Sequence, residues 1–139
     1  MNLRGRKGSA AVEFALIAPI LVGIASGVAD YGYFMAESSA AVSAVRDGAR
    51  AGSQSAMEEE PNPLFIAETA AAAAWEASNF PGQAEFDAQY TGVFPEIYLT
   101  LVIDVRVENL IGLVGPGPAQ ELSWQLSMRM EDQRDISLE

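Results

Sequence analysis

Between Gly8 and Val28 the chain reads GSAAVEFALIAPILVGIASGV, directly behind the basic stretch MNLRGRK. From Phe14 to Ala29 no residue is charged, and from Ser9 to Ala29 the single charge is Glu13. Twenty-one residues at ~1.5 Å each make a helix of roughly 31 Å, the thickness of a hydrocarbon core. A chain with such a segment is expected to be anchored in a membrane. A carboxylate left at mid-bilayer costs about 2.5–3.5 kcal/mol, so the position of Glu13 near the start of the run demands a reason.

Charge orients the segment. Arg4, Arg6 and Lys7 precede the apolar run, so the chain beyond Gly8 holds five bases against all 19 acids, a balance of −14. Bases on one flank and acids on the other predict a single-pass protein with a cytoplasmic N-terminus and a translocated C-terminal part. Nucleic acid is not an expected partner, because phosphate contacts need clustered Lys and Arg. Cysteine and histidine are both absent. An exported domain of this chain therefore holds together without disulfides. The commonest general base and transition-metal ligand is missing too, so neither catalytic residues, nor a metal, nor a cofactor is expected.

The helical pattern continues past the apolar run. Tyr31, Phe34, Met35, Ser38, Ala41, Val42, Val45 and Ala49 recur close to i, i+3, i+4, i+7, with Asp30, Glu37, Arg46 and Asp47 interleaved as a wetter face. One helix of about forty residues is expected, apolar all round at first and amphipathic later. Pro19 should bend it, and Gly23 and Gly27 form a small-xxx-small pair that permits close helix approach. The expected organisation is a leader at 1–8, a membrane part at 9–29, an amphipathic continuation at 30–51, an acidic loop at 52–62 and an α+β domain at 63–139.

Within that last part, Asn62-Pro63 is a helix start, with Leu64, Ala67, Ala71, Ala74 and Trp75 as the buried stripe to about Ser78. Asn79, Pro81 and Gly82 end it. The period then changes to two. Ile97 to Val107 and Leu122 to Met130 alternate apolar with polar residues, and Glu85 to Thr91 does so more weakly. The expected fold class is α+β, with a long N-terminal helix, a second short helix and a small three-stranded antiparallel sheet covered by helices.

The beginning of the chain resembles a known pattern. A basic leader ending in Gly8, a cut before Ser9, a glutamate as fifth mature residue (Glu13) and then a hydrophobic helix look like a class III prepilin signal. The run GSAAVEFALIAPILVGIASGVADYG is similar to the TadE family of Tad/Flp pilus minor pseudopilins, as are RDGARAGS (46–53) and LSWQLSMRMED (122–132). Main Flp pilins commonly carry Tyr after the glutamate and are much shorter, whereas Phe14 stands here. The resemblance implies a pilin-like structural subunit rather than an enzyme. Its implied partners are a prepilin peptidase, other pilins and pseudopilins, the inner-membrane assembly platform and membrane lipid. It also implies that Glu13 guides processing or subunit registry, with the new amine at Ser9 neutralising the carboxylate of an adjacent copy. Pro19 resembles the proline that bends pilin helices, and the product can enter an extracellular pilus that serves adhesion.

Other readings fit the same residues. Glu13 can snorkel to the headgroups of an unprocessed single-span scaffold or assembly factor. The small-x-small run Gly27-Val28-Ala29 would suit leader peptidase and a secreted product. Glu58, Glu59 and Glu60 lack the spacing of a Ca²⁺ loop and read as a solvated turn. Asp104 and Glu108 share one strand face, and a wet sheet face accounts for them. Trp75 and Trp124 read as core. Gly115-Pro116-Gly117-Pro118 is a turn, since no Lys or helix start follows as a phosphate loop requires.

Overall fold

A computed structural model describes residues 3–57, 61–107, 111–112 and 120–131, with side chains from Gly8 onward except that of Gln120. The order of elements is α1 (Leu3–Ser53), α2 (Pro63–Ala77), β1 (Ala84–Val93), β2 (Glu96–Val107) and β3 (Gln120–Arg129). The fold is α+β, as expected from the sequence. The acidic run Glu58–Glu60, Glu108 and the Gly115–Pro118 turn lie outside the described residues. The chain divides into two compact units, Met1–Met35 with Asn109–Pro118, and Ala36–Glu108 with Ala119–Glu139. Helix α1 contributes to both.

In the second unit, Asn62 caps α2: its Oδ1 accepts from Leu64 N at 2.8 Å, with Pro63 in the first turn, where no N–H is needed. After Ser78, Asn79 takes the left-handed conformation (φ 58°) that commonly stops a helix. The three strands form one antiparallel meander in the order β1-β2-β3. Leu101 stands opposite Ala88 on one side and Leu126 on the other, and Ile103 stands opposite Phe86 and Trp124. Even register on both sides puts every apolar row on the same face. The face is buried most deeply along β2, where Ile97, Leu99, Leu101 and Ile103 are fully inaccessible. On the opposite face a hydroxyl ladder crosses all three strands. Thr91 Oγ1 lies 2.9 Å from Thr100 Oγ1, which lies 2.8 Å from Ser127 Oγ.

The second half of α1 covers this sheet together with α2. Its buried stripe is Glu37, Ala41, Ala44, Val45, Gly48, Ala49 and Gly52, which differs from the stripe expected from periodicity. Arg46 and Asp47 are solvated as expected, but Met35 and Val42 are exposed, while Glu37 is only 1% exposed. Gly82 makes room for that carboxylate. A Cβ there would come within 2.7 Å of Glu37 Oε1 and 3.1 Å of Arg106 O. Trp75 closes the same corner, donating from Nε1 to Gly82 O at 3.1 Å and stacking on Phe80.

Gly48 and Gly52 set how closely α1 meets its neighbours. A Cβ at Gly48 would lie 2.5 Å from Ala67 O and 2.8 Å from Leu101 Cδ2, and one at Gly52 would lie 2.7 Å from Pro63 O. The close-approach pair in the described structure is therefore Gly48 and Gly52, four residues apart on one helix face.

Tyr90 ties β1 to the start of α2, its hydroxyl 3.4 Å from Asn62 Oδ1. Burial pushes the phenol above its ordinary value of 10.0. The folded state thus favours the protonated form. The stability this contributes is intact below that ordinary value and is lost as pH rises through the raised one. Thermal melts from about pH 9 to 11 should show a steeper alkaline loss for the natural chain than for Tyr90→Phe.

Candidate functional site

The first part of α1 is the candidate site, because it carries the residues singled out for processing and assembly. Helix geometry puts Ser9 one turn before Glu13, and Ser9 Oγ donates to Glu13 Oε1 at 3.2 Å. Gly8, Ser9 and Glu13 are all exposed. So are the large apolar residues after them. Phe14 is 67% exposed, and Leu16, Ile20, Ile24 and Val28 all exceed 60%.

The exposure of these large apolar side chains bears on what kind of helix this is. The most apolar stretch has a mean hydropathy of 2.1, yet only 6% of it is buried within the protein. A core helix of a soluble domain would be mostly covered. Each large side chain loses about 1.5–3 kcal/mol of favourable burial if it stays in water, so the segment fits a membrane-anchored protein. The helix runs on through Pro19, which is itself exposed. Gly23 is half-buried, and a Cβ added there would meet nothing within 4 Å. Gly27 is half-buried as well.

The opposite side of this unit holds a feature that sequence reasoning missed. Ser26 and Asp30 are each 5% exposed. Asp30 Oδ1 accepts from the backbone N–H of Ile111 at 2.7 Å, and its Oδ2 has no partner among the described residues. Asp30 was expected on a wet face, since a carboxylate ordinarily keeps its water. Here a backbone donor 81 residues further along the chain replaces part of that water, and no local pattern announces it.

Among the described residues no group of three potential metal ligands converges. The arrangement presents instead a continuous apolar surface that begins beside one carboxylate. Over this same stretch, residues 8–50 match the family model described as TadE-like protein. The N-terminal segment is similar to that family. The match starts at Gly8 and covers Ser9, Glu13, Phe14, Pro19, Gly23 and Gly27, as well as Asp30, Glu37 and Gly48. No curated protein and no solved structure matches the chain.

Proposed function

We propose that this protein is a minor pseudopilin, a membrane-anchored structural subunit that assembles with other pilins of a Tad pilus. The observation that carries the reading is the coincidence of the TadE-like match with an exposed apolar helix that opens on Gly8, Ser9 and Glu13. In this mechanism the chain inserts with its basic leader inside, and a prepilin peptidase cuts between Gly8 and Ser9. The helix then leaves lipid laterally to pack against other pilins on the assembly platform. Packing exchanges lipid for protein around the apolar residues, where tight van der Waals contact rather than water exclusion supplies the driving force.

Cleavage changes the electrostatics at the helix start. The freed amine of Ser9 is a cation placed at the depth where Glu13 of a neighbour must be neutralised. A buried carboxylate without such a partner is expensive, so a subunit out of axial register would be rejected. The hydroxyl of Ser9, which already reaches Glu13 within one chain, holds the carboxylate on that side of the helix.

The mature N-terminus tests the first step. Co-expression with a prepilin peptidase, followed by N-terminal sequencing and intact mass, should give a chain that starts at Ser9. A retained Met1 would support the unprocessed scaffold, and a start at Asp30 would support a secreted product of leader peptidase.

A further inference from the structure

We propose that the outer edge of β3 is a homophilic strand-pairing site that joins two copies of this chain. The two edges of the sheet are treated differently. At β1, helix α2 lies alongside, Glu68 Oε1 accepts the outward N–H of Ala88 at 3.0 Å, and Glu85 and Asp87 add charge. Natural sheets blunt an edge in this way. At β3 no described residue pairs with the outer side, and Leu122 to Met128 contains neither a charge nor a proline. Its apolar row, Trp124 and Leu126 among it, is only half-buried.

The hydrogen-bond phase fixes which groups are free. Met130 N donates to Ile97 O, so the even-numbered residues of β3 turn their backbone toward β2. The odd-numbered residues from Glu121 to Arg129 turn theirs outward. Consistently, the N–H of Glu131 leaves the sheet for Ser53 O. A second strand can add antiparallel only by setting outward residues against outward residues.

Centred on Gln125, β3 is complementary to itself. Glu121 then faces Arg129 of the second copy, Ser123 faces Ser127, Leu122 faces Met128 and Trp124 faces Leu126. A shift of one outward position sets Glu121 against Ser127 or against Glu131, and the ion pairs are lost. Opposite charges directly across a strand pair favour the contact and like charges oppose it, so the two ends select the central register. The beyond-Gly8 balance of −14 repels over long range, but that repulsion is screened within about 8 Å at physiological salt, and the pairing strip itself is neutral between its two ends.

Symmetry determines how the second copy is oriented. From Glu37, beside Gly82, to Ser53, beside Met128 and Glu131, helix α1 runs along β3 in the same direction. A two-fold axis normal to the sheet reverses this direction in the second copy, so these helix segments run antiparallel in the pair.

The test uses the full chain in detergent. Gln125 and Arg129 are exposed, so their substitution should leave the melt unchanged, whereas Glu121→Arg, opposite Arg106 of β2, should lower it slightly. The Cα atoms of a Gln125→Cys pair would lie about 5.5 Å apart across the axis, and a short bifunctional thiol reagent should link them. Ser123→Cys should not link, its two copies being roughly 13 Å apart along the strands. Glu121→Arg alone or Arg129→Glu alone should weaken self-association about tenfold, and mixing the two variants should restore it. Equal linking at positions 123 and 125, no linking at 125, or mixed variants that fail to associate would overturn the proposal.

Discussion

Replacing Gly48 by alanine is expected to lower the melting temperature of the domain by about 5–15 °C, although alanine is the better helix former. The new methyl would meet Ala67 O at 2.5 Å and Ala71 Cβ at 2.7 Å, and a backbone carbonyl cannot swing aside as a flexible side-chain tip can. Overpacking costs about 1–3 kcal/mol, and contact with a fixed backbone carbonyl belongs in the upper part of that range, about 1–2 kcal/mol beyond the ~1 kcal/mol that alanine gains over glycine in a helix. For a domain of roughly 100 residues, 1 kcal/mol corresponds to about 4–8 °C. Gly52→Ala should act the same way, since Pro63 O and Ala67 Cβ stand within 2.8 Å of the added atom. Gly23→Ala is the control: the position is open, and the melt should not fall. Circular dichroism of the full chain in detergent measures all three, and an unchanged melt for Gly48→Ala would mean that α1 does not pack on α2 this closely.

Glu13→Gln should abolish or strongly reduce pilus assembly while leaving the chain folded and in the membrane. The side chain is exposed, touches only Ser9 among the described residues, and keeps its shape in the amide. What changes is the charge offered to a neighbour's amine. Exchange of a charge-assisted bond for a neutral one roughly halves its strength, and the amine is left partly unpaired in a dry interface. Counting filaments in the host, with the mature N-terminus determined in parallel, separates assembly from cleavage. Normal piliation with Glu13→Gln would remove charge registry from the mechanism, whatever the cleavage result.

Legibility in the sequence followed the range of the interaction responsible. The apolar run, the period-two strands, the Asn62 cap and the stop at Asn79 all depend on neighbours within a few residues, and each could be read directly. In the stripe of α1, Ala41, Val45 and Ala49 are buried as read, but the carboxylates were misplaced because residue chemistry was taken to imply solvation. Glu37 and Asp30 are carboxylates, yet Gly82 gives one of them space and the N–H of Ile111 gives the other a hydrogen bond. The close-approach glycines were visible as GARAG, but nothing local distinguishes that spacing from Gly23 and Gly27. The difference lies in what stands opposite: Ala67, Ala71 and Leu101 for one pair, and open space at Gly23.

By itself the sequence determined that this chain carries a membrane-length helix behind a basic stretch, with one carboxylate at its start and an α+β domain after it. Those properties are sums over consecutive residues, namely length, hydropathy, charge and period, and need no knowledge of the third dimension. Only the tertiary structure decided which face of α1 is buried in the domain and which glycines meet their neighbours closely. These depend on atoms brought together from 19 to 81 positions apart, as Gly48 is with Ala67 and Asp30 with Ile111.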